Sequence, residues 1–196
     1  MPLYPIEISD LRVSYKVYLH QTLLQFRSIN MNKRDWLMSD YNMSEKPIDT
    51  YEGITDSERA SLGLLRTQVI GWSNQDIDTV VSVMADDGVY HDITLDPAIG
   101  HNAIREFGDG WLEAVPDLDL YIEAYSVQGN IVSDMGWMSG TITKEYFGMP
   151  ATGKRFDVQF SQMAFVANEK IQYLRGFWNA PDMYNQIGWS LDSLKR

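Results

Sequence analysis

Residues 89–107 read VYHDITLDPAIGHNAIREF. Val89 opens an extended stretch, Tyr90, His91 and Asp92 follow in a row, and Pro97 and Gly100 interrupt the chain. Helical spacing then resumes through Ile104 and Phe107. This is a strand, a loop and a helix start in nineteen positions. Side chains alternate along a strand, so Tyr90 and Asp92 share one face and His91 takes the other. The stretch is also a hinge in composition, with helical patterns before it and strand patterns after it.

On the N-terminal side, Thr55-Asp56-Ser57-Glu58 has the form of a capping box, a hydroxyl followed three residues later by a carboxylate. Leu62, Leu65, Val69 and Trp72 then fall on one helical face. Ser73-Asn74 reads as a break and a new cap. Ile77, Val80, Val81 and Met84 continue at helical spacing until Asp86-Asp87-Gly88, which leaves a short strand at 89–93. On the C-terminal side a helix is expected over 102–114, with Ile104, Phe107 and Trp111 facing inward. Gly108 and Gly110 weaken it and Pro116 stops it. His101, just after Gly100, is expected to cap this helix start.

Four alternating segments follow, at 118–127, 131–143, 155–166 and 170–178. Gln128-Gly129-Asn130 and Ala167-Asn168-Glu169 have hairpin chemistry, and Met149 to Lys154 forms a longer Pro/Gly loop. A last short helix spans 181–187, with Pro181 in its first turn. Helices gathered ahead of an antiparallel run indicate an α+β fold. A long curved antiparallel sheet with helices packed on its concave face makes a half-open cone, a natural site for a small apolar molecule.

Ahead of this domain, residues 9–28 read as a helix, and 29–54 are polar but carry Trp36, Leu37, Met38 and Tyr41. The division expected is an N-terminal helical arm or lid at 1–55 and a cone-shaped domain at 56–196. The arm covers apolar surface on its own subunit, reaches a second subunit, or closes a pocket.

The charge balance narrows the partners. Of 196 residues, 27 are acidic and 16 basic, for a formal net charge of -11. Such a chain repels phosphate backbones, and no basic run overrides this, so neither nucleic acid nor an anionic membrane is an expected partner. Cysteine is absent, which removes disulfides, thiolate metal sites and thiol catalysis and fits a cytoplasmic protein. The N-terminus lacks a signal-peptide pattern, and no stretch approaches the roughly 18 unbroken apolar residues of a membrane span. The only histidines, His20, His91 and His101, stand in unrelated contexts, so no metal site is expected. Aromatics reach 12%, including 6 Trp and 11 Tyr, enough for a large core, an aromatic-lined pocket, or both.

Three stretches together carry a family resemblance: VYHDITLDPAIGHNAIREF, AVPDLDLYIEAYSVQGNIV, and GTITKEYFGMPATGKRFDVQFSQMAFVANEKIQYLRGFWN. In order and spacing, residues from about 60 to 189 resemble the SnoaL-like polyketide cyclases of the nuclear transport factor two-like, or ketosteroid isomerase-like, superfamily. The resemblance implies the cone fold, a homodimer formed through the outer sheet face, and chemistry without a cofactor. It does not fix the reaction, because the superfamily hosts cyclases, isomerases, dehydratases and epoxide hydrolases. It implies a catalytic carboxylate on the last strand, where this chain has Gly176. Epoxide hydrolysis would need an Arg and an Asp on the strand at 131–143, where Met135, Gly136, Trp137 and Met138 stand.

The related folds imply that Tyr90 and Asp92 line the cavity. A carboxylate placed among Trp111, Met138, Phe160, Leu174 and Trp178, with Asn179 nearby, holds its proton more readily and comes into range for proton transfer. Asp92 is then the base, Tyr90 the donor to a developing enolate oxygen, and His91 a further candidate if the loop end twists it inward. The expected reaction is removal of a proton next to a carbonyl of a hydrophobic, polyketide-like molecule, leading to aldol-type cyclisation or isomerisation. Two other readings stay open. Asp92 caps the following loop and Tyr90 packs in the core, leaving a non-catalytic binding protein for a small hydrophobic ligand. Or the cone is filled and the chain is a dimeric scaffold.

Overall fold

A computed structural model describes residues 51–190. The helix expected at 9–28 and the arm as far as residue 50 lie outside the described residues. Helix α1 spans Asp56–Ser73, and Thr55 caps it with both halves of the capping box closed. Glu58 Oε2 accepts from the Thr55 amide at 2.9 Å, and Glu58 Oε1 accepts from the Gly129 amide at 2.8 Å. One carboxylate thus ends a helix and ties down a distant hairpin. Leu62, Leu65, Val69 and Trp72 are buried as the spacing predicts, and Gln68 is buried among them.

The next junction differs from the expected one. Asn74 is the C-cap of α1, Gln75 takes a positive φ of 59°, and Asp76 caps α2, Ile77–Ser82, by accepting from the Thr79 amide. Helix α2 is short because β1 already begins at Met84 and runs to Asp92. Met84 looks helical by spacing but pairs with Ile171. The register slips between Met84 and Val89, so the acidic segment is an irregularity inside a strand. Ala98–Ile99 forms a two-residue strand, β2, against Val89 and Tyr90.

Helix α3, Gly100–Ala114, starts two residues earlier than expected, on a glycine with φ of 78°. His101 does not cap it: its Nε2 meets the Met84 carbonyl at 3.0 Å, which ties the helix start to β1. Gly108 has a packing role. A Cβ there would stand 2.1 Å from Ile77 Cδ1, so the glycine lets α3 lie against α2.

Strands β3 (Asp119–Gln128), β4 (Ile131–Thr141), β5 (Arg155–Ala167) and β6 (Lys170–Trp178) form the expected antiparallel meander, and α4 (Ala180–Ile187) follows. The six-stranded sheet has the order β2-β1-β6-β5-β4-β3. One pairing departs from an all-antiparallel sheet, since β1 runs parallel to β6. The whole meander separates these two strands in sequence, so no hairpin constrains their direction. Alternation on β5 buries Phe156, Val158, Phe160, Gln162 and Ala164 while Met163 and Phe165 stay exposed. The curved sheet therefore turns one face to the helices. Among the described residues, no helix is long and apolar enough to cross a membrane.

Candidate active site

The concave face holds a partly open cavity. Its volume is about 80 Å³, several times the roughly 10–15 Å³ that one water needs. A small organic molecule fits. The wall is mainly aromatic: Phe107 and Trp111 from α3, Phe160 from β5, Trp178 from β6, Tyr184 from α4, and Tyr146 from the loop after β4. The rings brace one another, with Tyr90 and Phe107 centroids 5.3 Å apart and Trp111 and Tyr146 5.0 Å apart. Trp189 donates to the Pro150 carbonyl at 2.8 Å, holding the segment after α4 against the loop that carries Met149.

Asp92 lies on this wall, at the end of β1. Its Oδ1 accepts from the Thr94 amide at 2.8 Å and the Thr94 hydroxyl at 2.6 Å. Its Oδ2 accepts from Trp178 Nε1 at 2.8 Å. The side chain therefore caps the following turn and lines the cavity at once. Tyr90 also lines the cavity, and burial pushes its phenol far above the ordinary range, with the charges of Asp92 and Asp134 adding to the effect. It stays protonated at any ordinary pH and can donate. Its hydroxyl faces Gln68 and Trp72. The Gln68 amide atoms and Trp72 Nε1 are buried without closing a hydrogen bond.

Trp111, Met138, Phe160 and Trp178 stand on the wall, whereas three other residues proposed from sequence do not. His91 belongs to the opposite sheet face. Its register partner is Arg175, which donates to His91 Nδ1 from Nη2 at 2.9 Å and from Nε at 3.2 Å. An arginine N–H only donates, so that nitrogen is an acceptor and the ring does not act in the cavity. Leu174 points inward but is fully buried in the apolar cluster with Leu62, Leu65 and Met84. Asn179 is the N-cap of α4 and accepts from the Asp182 amide at 3.3 Å.

Sequence reasoning missed Asp134. The register sets Asp92, Gly176, Gln162, Asp134 and Tyr125 side by side as successive cross-strand partners over β1, β6, β5, β4 and β3. Asp134 is 3% exposed. Its Oδ1 accepts from the Gln162 amide nitrogen at 2.9 Å, and its Oδ2 accepts from Gln162 Nε2 at 3.0 Å. Burial outweighs these bonds and raises its carboxyl to about 7. Gln162 itself lines the cavity. The signal was available, because Asp134 has the same strand parity as Met138. Second in the row, a Cβ on Gly176 would meet nothing within 4 Å, so the place where the resemblance implies a carboxylate is open space. Among the described residues, no cluster of three or more histidines and carboxylates is arranged to hold a metal ion.

Comparison with known proteins agrees with this fold. The profile described as SnoaL-like polyketide cyclase matches residues 64–187. No curated protein matches the chain in sequence. Among solved structures, one described as a SnoaL-like polyketide cyclase from Jannaschia sp. CCS1 has a TM-score of 0.65 at 16% identity, covering 70% of this chain and 97% of that one. IdmH from Streptomyces antibioticus, described as a polyketide cyclase, gives 0.54 at 19% identity, covering 65% and 98%. An epoxide hydrolase from M. tuberculosis gives 0.55 at 17%, covering 69% and 95%. At these identities the likeness is one of fold.

Proposed function

The chain belongs to the SnoaL-like polyketide cyclase family, and from that premise we propose a cofactor-free enzyme that removes a proton next to a carbonyl of a small, hydrophobic, polyketide-like molecule. The observation that carries this reading is a carboxylate, Asp92, and a buried phenol, Tyr90, on the wall of the same aromatic cavity. The Asp92 carboxylate takes the proton from the carbon beside the carbonyl. The C–H electron pair moves onto the oxygen, and the Tyr90 hydroxyl donates to that oxygen as its charge grows. The enolate carbon then attacks a second carbonyl of the same molecule, closing a ring, or takes a proton back at another carbon. Asp92 returns the proton to the new alkoxide or carbon. Thr94 and Trp178 hold the carboxylate in place, and the aromatic wall fixes the fold of the substrate. We further propose a homodimer through the outer sheet face, where Met135, Met163, Phe165 and Phe177 are exposed.

Hydrogen–deuterium exchange at the carbons flanking the carbonyl of 2-tetralone, followed by NMR in heavy water, tests the reaction class without the natural substrate. The protein accelerates exchange. Asp92→Asn reduces the acceleration by about 10²–10⁴-fold, and Tyr90→Phe by about 10²–10³-fold. A second reading, a non-catalytic binder, is favoured by the empty place at Gly176. Bound 2-tetralone with exchange no faster than in buffer would select that reading.

A further inference from the structure

Three buried polar features lie deep on the concave face and have no part in the proton transfer. Asp134 is buried with both oxygens turned to Gln162. Gln162 is 4% exposed yet reaches the cavity wall. The Tyr146 hydroxyl belongs to a wall residue and is buried with no hydrogen-bond partner. Buried polar groups are nearly always satisfied, so unpartnered ones on a cavity wall mark where a ligand's polar atoms belong.

The bond between Asp134 Oδ2 and Gln162 Nε2 has a consequence for that ligand. An ionised carboxylate only accepts, so it fixes which end of the Gln162 amide it faces. The Nε2 group turns to Asp134 and the carbonyl Oε1 is left for the cavity. We propose that Gln162 is the ligand-reading residue of the deep cavity, and that Asp134 is its positioning residue, orienting the amide so that it accepts a hydrogen bond from a hydroxyl or enol of the ligand. The inference deepens the small-molecule reading of the cavity and rests on it, but it does not need Asp92 to be a base. It adds a substrate feature: a hydroxyl or enol on the hydrophobic frame, distinct from the carbonyl held by Tyr90.

The arrangement also has a proton-dependent form. A protonated Asp134 presents an O–H, which is satisfied by Oε1, and the amide turns over to offer Nε2–H to the cavity. The raised carboxyl, at about 7, puts this change within reach of neutral solution. Tyr90 from β1 and Tyr125 from β3 are the titratable groups coupled to Asp134, and Arg66 of α1 acts on Tyr125. Both phenols are pushed well above their ordinary range and stay neutral through this window.

Two probes of one bicyclic frame test the proposal: 2-naphthol, which donates, and 2-tetralone, which only accepts. Affinities are measured by calorimetry for the full chain at pH 8.5 and pH 5.5. At pH 8.5 the wild type favours 2-naphthol by about tenfold, the worth of one hydrogen bond. At pH 5.5 the preference falls or reverses. Asp134→Asn, whose amide donates to Oε1, shows the low-pH preference at both values. Gln162→Met removes the preference and its pH dependence while still binding both probes. Should Asp134→Asn fail to fold, Gln162→Met alone decides. The proposal is overturned if Gln162→Met keeps the wild-type preference, or if folded Asp134→Asn keeps both preference and pH dependence. A wild type that binds neither probe at either pH overturns the cavity reading itself, which separates that failure from this one.

Discussion

Asp134 places a dehydrated carboxylate in a folded chain, and the sign of its effect on stability follows. Its carboxyl holds a proton up to about pH 7, against an ordinary value of 3.8. The folded state therefore binds a proton that the unfolded chain releases. The resulting stabilisation is complete below the ordinary value and is lost as pH rises through 7, a swing of roughly 4 kcal/mol at the upper limit. Asp134→Asn is neutral at every pH and keeps a group of the same shape. It is expected to melt above the wild type at pH 8.5, with the difference closing towards pH 5. Parallel melting curves across that range would contradict the burial argument. At this scale the sequence was half legible. Parity on β1 separates Asp92 from His91, because a strand has only two faces. It separates Asp134 from Met135 just as well, but only when the strand is read from its first residue instead of around Met138. The capture of Asn179 by α4 was not legible, because an amide between a strand and a helix suits a cap and a cavity equally.

Elements were legible where local chemistry closes on itself. The Thr55–Glu58 capping box needs no tertiary partner, and it stands as the spacing indicates. Thr55→Ala is expected to cost about 1 kcal/mol in urea unfolding. Glu58→Ala is expected to cost more, since it also frees the Gly129 amide at the β3–β4 turn. Faster amide exchange at Gly129 in Glu58→Ala, but not in Thr55→Ala, checks that link. Equal effects on Gly129 would remove it. The strand pairs with short hairpins were equally legible, as the Asn168-Glu169 turn, with φ of 51° and 59°, illustrates. What spacing could not reveal was β1. Met84 continues a helical pattern in sequence, and only pairing with Ile171, 87 positions later, makes it a strand residue. Parallel pairing of β1 with β6 is likewise a long-range choice that local propensity does not encode.

At the scale of the whole domain, the proposed chemistry and the proposed dimer use opposite faces of the sheet. The outer face carries exposed apolar side chains at Met135, Met163, Phe165 and Phe177 beside polar Arg175 and His91. A second copy would cover them. Phe165→Glu is expected to shift a dimer to a monomer in light scattering without changing the circular dichroism, and a wild type that is monomeric at working concentration would contradict the dimer. The proposed chemistry belongs to the concave face, and its most direct test is a crystal structure with 2-tetralone bound. The ketone is expected inside the aromatic cavity, its oxygen about 2.6–3.2 Å from the Tyr90 hydroxyl and a flanking carbon about 3–3.5 Å from the Asp92 carboxylate. A ketone seated in the same cavity with its oxygen turned away from Tyr90 and no such carbon near Asp92, or a cavity that stays closed to it, would contradict the account.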